Sequence, residues 1–339
     1  MTRCAGQSAS FSVTASGTGP FSYQWIKDGT AITGATGNTF SIASVSGADT
    51  GTYCVVVTGA CNSLTNCASL TVNLSTTASA LSNVTRCPGQ SASFSTTASG
   101  NGPFSYQWLK DGVDISGATA PTYSIASVSA ADAGAYCVVV TGTCNSITNC
   151  ASLTVNEPTS ATGPADLAVC PGSEADFSTT ANGTGPFSYQ WRKDGVDISG
   201  ATNANYTVDF AIGTDAGAYC VVISGACNSV TNCANLTLNT PTTASGPSDL
   251  TLCPGQTAVF STTASGTGPF TYQWGKDNVN ISGATNSTYA IASVSATDAG
   301  TYCVVVTGAC NNFINCATLT VNTPPTAIGP SDVTVCQGA

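Results

Sequence analysis

The sequence predicts an all-β protein built as tandem β-sandwiches, with four repeats of 83 residues and the first strand of a fifth. The first observation is a fixed spacing, because five cysteines and four tryptophans recur every 83 residues without an insertion. The second is a series of short alternating strands with turn residues every ~8 to 12 positions, which is typical of sandwiches. The third is that no segment has helical periodicity. The recurring residues are Cys4, Cys87, Cys170, Cys253 and Cys336, and Trp25, Trp108, Trp191 and Trp274.

The strands of the first repeat follow from side-chain alternation. In SASFSVTAS, Phe11 and Val13 lie on the same face as the flanking alanines. In FSYQWIKDG, Tyr23 and Trp25 share a face before a Lys-Asp-Gly turn. NTFSIASV is a further strand, and TYCVVVTG with SLTNCASLTVN predicts a hairpin around residues 59–62. Proline and glycine mark the joints, where NEPTSATGPADL and NTPTTASGPSDL indicate short extended linkers into the next first strand.

These motifs resemble the I-set-like immunoglobulin (Ig) domains found in tandem in bacterial surface and secreted proteins. Trp25 of GPFSYQWIKDG stands where that family has its strand-C tryptophan. ADTGTYCVVV carries the strand-F signature Asp-x-Gly-x-Tyr as Asp49, Gly51 and Tyr53. The sequence departs from the family at strand B, where Val13 replaces a cysteine, so the usual disulfide across the core is missing. The resemblance recurs in every repeat and implies four core residues, Trp25, Trp108, Trp191 and Trp274.

The spacing divides the chain into Ig-like repeats at residues 1–73 (with an incomplete first strand), 74–156, 157–239 and 240–322. Residues 323–339 predict either the opening strand of a further repeat, in a segment cut from a longer polypeptide, or a donor strand. In the second interpretation, residues 328–336 add a strand to the incomplete first repeat of the next subunit. The uniform repeat length fits equivalent environments along a fibre, and it fits recent duplication equally well.

One cysteine of each repeat is displaced by one position from the core face of strand F. Tyr53 and Val55 face the core, so Cys54 faces outward. With a four-residue turn at 59–62, the F–G hairpin register places Cys54 opposite Cys67, close to disulfide reach. The predicted intradomain disulfides are Cys54–Cys67, Cys137–Cys150, Cys220–Cys233 and Cys303–Cys316.

Two cysteines of each repeat remain, Cys4 and Cys61 in the first. In the topology that the resemblance implies, Cys4 lies at the bottom of its sandwich and Cys61 in the F–G turn at the top. A strand of ~7 residues separates these ends by about 23 Å, which is too far for a bond within one repeat. The predicted interdomain disulfides are therefore Cys4–Cys144, Cys87–Cys227 and Cys170–Cys310, with Cys61, Cys253 and Cys336 bonded to a neighbouring domain or chain. Partners in a laterally packed chain are the alternative.

Composition narrows the class of protein. Only 7% of residues are charged, against about 25% in an average soluble domain, and the net charge is −10. Nucleic-acid binding needs clustered basic residues, which 7 Lys and Arg do not supply. Membrane insertion needs an apolar run of about 20 residues, which this sequence lacks. The 17 cysteines with no histidine favour disulfides over zinc, and so indicate an extracellular or cell-surface location.

No residue pattern predicts catalysis, a cofactor or a metal. There is no histidine to act as a base, and the Asp of each Asp-x-Gly-x-Tyr is expected to be structural. Asp166, Asp249 and Asp332 precede joints, but one carboxylate per joint is few for calcium, which takes about six to eight oxygens. Exposed threonines are candidates for O-glycosylation. Asn-x-Ser/Thr sequons offer N-glycosylation positions at Asn73, Asn83, Asn182, Asn205, Asn235, Asn280 and Asn286.

The favoured function is structural, a disulfide-stabilised extracellular fibre, stalk or sheath. Its partner is the chain itself, head-to-tail or laterally, and attached glycans are a second candidate partner. The alternative is a cell-surface adhesin in which the repeats are a spacer stalk or ligand-binding modules. The near-identity of the repeats favours a scaffold, because a dedicated binding site would mark one repeat as different. Accessory modules of a secreted hydrolase rank lower, because the tryptophans are assigned to the cores and leave no aromatic platform for sugar.

Overall fold

The backbone hydrogen bonds of the chain fall into four repeats of one strand pattern. The structure is a computed structural model that describes residues 1–330 and residue 332. Within it, residues 323–330 belong to no strand. Cys336 and most of the predicted opening or donor strand therefore lie outside the described residues.

The strands and short 3-10 helices (η) have the following bounds. The first repeat has β1 Thr2–Cys4, β2 Ala9–Ser12, β3 Ser22–Lys27, β4 Thr30–Ala31, β5 Thr39–Ile42, η1 Gly47–Asp49, β6 Gly51–Thr58 and β7 Ser63–Asn73. The second has β8 Thr77–Ala78, β9 Val84–Arg86, β10 Ala92–Ser95, β11 Ala98–Ser99, β12 Ser105–Lys110, β13 Val113–Asp114, β14 Thr122–Ile125, η2 Ala130–Asp132, β15 Gly134–Thr141 and β16 Ser146–Val155. The third has β17 Ser160–Thr162, β18 Leu167–Val169, β19 Ala175–Ser178, β20 Thr180–Asn182, β21 Ser188–Lys193, β22 Val196–Asp197, β23 Asn205–Val208, η3 Gly213–Asp215, β24 Gly217–Ser224 and β25 Ser229–Leu238. The fourth has β26 Thr243–Ser245, β27 Leu250–Leu252, β28 Ala258–Ser261, β29 Thr263–Ser265, β30 Thr271–Lys276, β31 Val279–Asn280, β32 Thr288–Ile291, η4 Ala296–Asp298, β33 Gly300–Thr307 and β34 Asn312–Val321.

Each repeat is a two-layer sandwich. In the second repeat one layer is a five-stranded sheet in the order β13-β12-β15-β16-β9, with β9 parallel to β16. The other layer contains the pairs β10–β14 and β8–β11. The third and fourth repeats have the same pairs, whereas the described first repeat has only β2–β5 in its second layer. The prediction of an all-β array of sandwiches is confirmed.

The register of the F–G hairpin follows the predicted alternation. Thr58 lies opposite Ser63, and Cys54 lies opposite Cys67. Because side chains alternate between faces, the buried Tyr53 and Val55 leave Cys54 on the outer face of the sheet.

The core of each repeat is a set of stacked aromatic rings. In the second repeat Trp108 is fully buried, and Phe94 stacks on Tyr136 with ring centroids 5.0 Å apart. The indole Nε1 of Trp108 donates to the carbonyl of Ala120 at 2.9 Å, so its polar group is satisfied inside the apolar core. Trp25, Trp191 and Trp274 have the same environment, as the resemblance implies.

We call residues 74–81, 157–164 and 240–247 the lead-in segments. The prediction that the joints are extended linkers is wrong for part of each lead-in segment. Instead of crossing between domains as free linkers, they contribute the strands Thr77–Ala78, Ser160–Thr162 and Thr243–Ser245. In the same order, these strands pair antiparallel with β11, β20 and β29 of the following sandwich. The pairing satisfies backbone groups that buried linkers would leave without partners.

The repeats group into two compact units, Met1–Pro158 and Thr159–Ala339. Each unit contains two sandwiches. Among the described residues, no helix has the length and apolar character needed to cross a bilayer.

Candidate functional site: cystines at the repeat joints

The four predicted F–G disulfides are present, and we call them the F–G staples. They are Cys54–Cys67, Cys137–Cys150, Cys220–Cys233 and Cys303–Cys316, each with Cα atoms 4.0 Å apart and a sequence separation of 13. Closing a loop of this size removes about 3 kcal/mol of unfolded-chain entropy in the loop-closure model. The displaced cysteine of strand F therefore cross-links the two strands of the hairpin on its outer face, while the inner face packs in the core.

Two further disulfides, which we call the joint bridges, connect consecutive repeats inside each unit. Cys4 bonds to Cys144 with a Cα–Cα distance of 5.6 Å, and Cys170 bonds to Cys310 at 5.4 Å. The partners are 140 residues apart in sequence. Cys4 ends β1 at one end of its sandwich, and Cys144 lies in the turn between β15 and β16. Each bridge thus connects the bottom of one repeat to the top of the next, as the sequence predicts.

The cysteines outside the F–G staples and the joint bridges differ in whether they are disulfide-bonded or free. Cys87 and Cys227 are both disulfide-bonded, and the predicted Cys87–Cys227 bridge between the two units stays a prediction. Cys61 and Cys253 are exposed free thiols. Their predicted bonds to a neighbouring domain or chain also stay predictions, and Cys336 lies outside the described residues.

Hydrogen bonds accompany the joint bridges. In the first unit, the backbone N–H of Leu74 donates to Oδ1 of Asn101 at 2.7 Å. In the second unit, the N–H of Thr240 donates to Oγ1 of Thr267 at 2.8 Å, and the N–H of Thr267 donates to the carbonyl of Thr240 at 3.0 Å. At these two joints, the start of the lead-in segment is therefore hydrogen-bonded to the following repeat, in addition to the covalent bridge between the repeats.

In the second, third and fourth repeats, two asparagines of the F–G hairpin hold the lead-in segment, and we call them the asparagine clamp. Oδ1 of Asn145 accepts from the N–H of Thr76 at 2.6 Å, while its Nδ2 donates to the Thr76 carbonyl at 3.2 Å. Nδ2 of Asn149 donates to the carbonyl of Ala78 at 3.2 Å. Equivalent bonds exist in the third and fourth repeats. The clamp was not predicted, although Asn-x-x-x-Asn recurs in every repeat after the F–G turn.

The aspartate of each Asp-x-Gly-x-Tyr motif stabilises the turn before strand F. Oδ2 of Asp49 accepts from the N–H of Ser46 at 2.7 Å and from its hydroxyl at 2.8 Å. The backbone hydrogen bond is the larger cause, and together they lower the pKa of Asp49. The hydroxyl of Tyr53 donates to the Asp49 carbonyl at 2.9 Å, which is the tyrosine corner that the resemblance implies.

The aspartates near the joints act as strand caps. Oδ1 of Asp166 accepts from the N–H of Asn235 at 2.7 Å, and Oδ1 of Asp249 accepts from the N–H of Thr318 at 2.6 Å. Asp332 is exposed. Across residues 1–330 and 332, no three His, Cys, Asp or Glu side chains gather as a metal site would require.

The sequon asparagines lie at the surface, except that Asn73 is half-buried. Oδ1 of Asn83 accepts from the N–H of Ser152 at 2.9 Å, so its amide is already engaged. The exposed positions are Asn83, Asn182, Asn205, Asn235, Asn280 and Asn286. Glycosylation at these residues stays a prediction.

Residues 1–72 and 76–155 match the sequence profile of the Immunoglobulin I-set domain family. These residues form two tandem I-set immunoglobulin domains. The repeated 83-residue pattern extends the same strands and cystines to the third and fourth domains. A location on a bacterial surface stays a prediction.

A relative of this I-set array is the Decoration protein of Escherichia phage T5, which is 43% identical to it over 61 residues. The match covers 18% of this chain and 37% of the phage protein, so the array spans about a third of that relative's length.

Solved tandem Ig structures are similar to the array at low sequence identity. An I-band fragment of titin is 19% identical, with a TM-score of 0.49, covering 73% of this chain and 99% of the fragment. Three N-terminal domains of the bacteriophage RB49 Highly Immunogenic Outer Capsid protein (Hoc) are 14% identical, with a TM-score of 0.47, covering 74% and 99%.

Proposed function

We propose that the chain is a structural protein, not an enzyme, that forms a disulfide-stabilised fibre, stalk or sheath outside the cell or on a virion. The observation that carries the proposal is the pair of joint bridges, Cys4–Cys144 and Cys170–Cys310. A spacer that only needs to be long requires no covalent bond between the bottom of one repeat and the top of the next.

The joint bridges change the path of a pulling force. Tension applied at Cys4 passes through the disulfide to Cys144, follows the backbone to Cys170 and crosses the second bridge to Cys310. Only 26 residues of backbone (170 − 144) lie on this path, against 306 (310 − 4) in the reduced chain. At ~3.5 Å per extended residue, these segments reach about 90 Å and about 1,100 Å. The oxidised array is thus nearly inextensible even if a repeat unfolds.

Display on a virion surface is the form of this function that the comparisons favour. The supporting observation is the 43% identity over 61 residues to the Decoration protein of Escherichia phage T5. The cystines of this chain suit a location outside the cell, because structural disulfides persist in an oxidising medium. Antibody raised against the array and detected with gold should label intact particles from the source, and labelling of cell envelopes alone would contradict a virion location.

Single-molecule stretching tests the mechanical role. The oxidised chain, held at its ends, should extend by no more than the 26-residue segment and the two flanks, and dithiothreitol should release the remainder. A C144S/C310S variant is the matched control. It should extend much further than the oxidised wild-type chain but less than the reduced chain, because its F–G staples and the disulfide bonds of Cys87 and Cys227 remain. Equal extension of oxidised and reduced wild-type chains would overturn the proposal.

Electron microscopy separates the fibre from the adhesin alternative. Filaments of constant width repeating along their length are expected of a structural polymer. Isolated rods with a distinct particle at one end are expected of an adhesin stalk.

A further inference from the structure

One stretch of the third repeat departs from a sequence that the other three repeats share. Residues 42–46, 125–129 and 291–295 all read IASVS, whereas residues 208–212 read VDFAI, so all five positions differ. On the neighbouring strand and the turn before it, Glu174 and Asp176 replace residues that are serine, threonine or valine in the other repeats. A dedicated binding site is expected to distinguish one repeat in this way.

These changes place larger apolar side chains on the surface and a smaller one in the core. Ala211 is buried at the position that Val128 occupies in the second repeat. Phe210 is 74% exposed and Ile212 is 56% exposed, although both positions are serine in the other repeats. Because folding is favoured by burying apolar area, the stability of the repeat does not account for this exchange.

Ile212 also replaces a side chain that stabilises the turn before strand F. In the second repeat, the hydroxyl of Ser129 donates to Oδ2 of Asp132 at 2.7 Å. Ile212 has no hydroxyl, and Oδ2 of Asp215 accepts from its backbone N–H at 2.8 Å. The loss of the hydroxyl bond and the exposure of an isoleucine both disfavour the fold, so the advantage of isoleucine at this position lies outside folding.

Three carboxylates lie beside the two apolar side chains. Glu174 and Asp176 flank the buried Ala175 in sequence, so both lie on the outer face of the sheet. A hydrogen bond with Asp176, and then the negative charges of Asp176 and Asp209, raise the pKa of Glu174. The carboxylates are thus close enough to repel one another, and a cation placed among them is attracted by all three.

Backbone pairing joins the apolar and the acidic residues into one surface. The N–H of Ala211 donates to the carbonyl of Ser173 at 2.9 Å, so residues 210–212 run alongside the residue that precedes Glu174. Asp209 directly precedes Phe210, and both are exposed. We call this surface the third-repeat patch, which consists of Glu174, Asp176, Asp209, Phe210 and Ile212.

The basic residues of the chain do not complement the third-repeat patch. In the second repeat, Arg86 donates to the carbonyl of Ser91 at 2.8 Å. The corresponding residues of the third repeat are Val169 and Glu174, so a basic side chain is lost where an acidic one is gained. Of the 7 Lys and Arg residues, five form ion pairs with aspartates and the other two donate to backbone carbonyls. A second copy of the chain therefore offers no unengaged cation to this patch.

We propose that the third-repeat patch binds a segment of a different protein that carries lysine or arginine together with apolar side chains. The apolar side chains of the segment cover Phe210 and Ile212, and its cations lie against the three carboxylates. Nucleic acids and anionic lipid surfaces have the same sign of charge as the patch and are repelled by it. The array is then a scaffold that also holds a basic partner at one fixed position along its length.

The apolar part of the patch is tested with a fluorescent peptide in which lysine and leucine alternate over about nine residues, roughly 30 Å when extended. Titration with the full chain, followed by fluorescence polarisation, should give saturable binding of one peptide per chain. The F210S/I212S variant restores the serines of the other repeats and should weaken binding about tenfold. Val196→Ser, which removes a 72% exposed valine from the other sheet of the same repeat, is the matched control and should have no effect.

The acidic part is tested with the same peptide and the E174Q/D209N variant. Binding should weaken about fivefold at low salt, and the difference from the wild-type chain should disappear at about 0.5 M salt. Asp114→Asn, which removes an exposed carboxylate of the second repeat, is the matched control. A peptide that alternates glutamate and leucine should not bind. Lysine–leucine binding that is unchanged in both double variants, or equal binding of the glutamate peptide, would overturn the proposal.

Sedimentation equilibrium of the chain without peptide distinguishes a different protein from a second copy. The wild-type chain and F210S/I212S should have the same association state. Self-association that F210S/I212S abolishes would identify a second copy as the occupant and overturn binding of a different protein. This inference goes beyond the proposed structural function and does not depend on the joint bridges. The C144S/C310S variant should therefore bind the peptide as the wild-type chain does, and either proposal can fail without the other.

Discussion

Oδ1 of Asp28 accepts a hydrogen bond from the backbone N–H of Thr52 at 2.8 Å and thereby joins the turn between β3 and β4 to the start of strand F. The same carboxylate covers the space that a side chain at Gly51 would need. The Lys-Asp-Gly turn thus explains why the strand-F motif has glycine between aspartate and tyrosine. The relationship recurs at Asp111, Asp194 and Asp277.

Replacing the glycine of this motif should destabilise a repeat. Gly217→Ala places a Cβ at φ +150, with Oδ1 of Asp194 only 2.5 Å away. We expect a loss of about 1–3 kcal/mol in the free energy of unfolding, measured by urea denaturation. The control is Gly213→Ala in the same repeat, where nothing lies within 4 Å and the second repeat already has alanine. Equal stability of the two variants would contradict the close approach of Asp194.

Removing the hydroxyl of the tyrosine corner should cost about 1 kcal/mol. Tyr136→Phe deletes the donor to the Asp132 carbonyl, a part-buried bond of 2.9 Å. Tyr123→Phe is the matched control, because Tyr123 stacks on Tyr136 in the same way that Phe40 stacks on Tyr53 in the first repeat. Thermal unfolding of both variants measures the difference. A control variant as unstable as Y136F would show that ring packing, not the hydroxyl, is responsible.

Removing the hydroxyl from two threonines of the second repeat should change the free energy of unfolding in opposite directions. Thr76 is 2% exposed and its Oγ1 is buried without a hydrogen-bond partner. Thr76→Val should therefore be neutral or stabilise by about 1 kcal/mol. Thr96→Val removes the donor to the Ser79 carbonyl and should destabilise by a similar amount. Denaturant titration of each single variant gives both values, and destabilisation by T76V would contradict the buried, unpaired state of its hydroxyl.

Stability should fall in acid. The hydrogen bond from Lys27, then that from the N–H of Thr52, holds the pKa of Asp28 below its ordinary value of 3.8. Because the pKa is lower in the folded chain, this carboxylate stabilises the fold above the unfolded pKa. The contribution is lost as the pH falls through the folded pKa. Urea unfolding between pH 6 and pH 2 should show the decline below about pH 4. An Asp28→Asn variant should show a shallower decline, and an equal slope would exclude Asp28 as a cause.

Much of the fold and of its cystines could be predicted because both follow from side-chain alternation. The position of Cys54 directly after Tyr53 places it outside the core, and the length of the F–G turn then selects Cys67. Extending the Ig topology to the next repeat selects Cys144 for Cys4.

The lead-in strands and the asparagine clamp could not be predicted from the same pattern. Ser160–Thr162 is polar and proline-flanked, so local sequence favours a linker. It becomes a strand by pairing with Thr180–Asn182, and Asn228 and Asn232 add hydrogen bonds to Thr159 and Ala161. The role of Asp28 depends on a contact 24 residues away, which alternation does not reveal.

The loops closed by the joint bridges also determine whether the fragments of a proteolytically cleaved chain stay attached to each other. The Cys4–Cys144 bridge encloses almost all of one repeat and much of the next, including glycine-rich turns of the kind that proteases cut first. A single cleavage between these cysteines, or between Cys170 and Cys310, leaves both fragments attached to each other. Each bridged pair of repeats can thus be nicked by proteases and still hold together until its cystines are reduced.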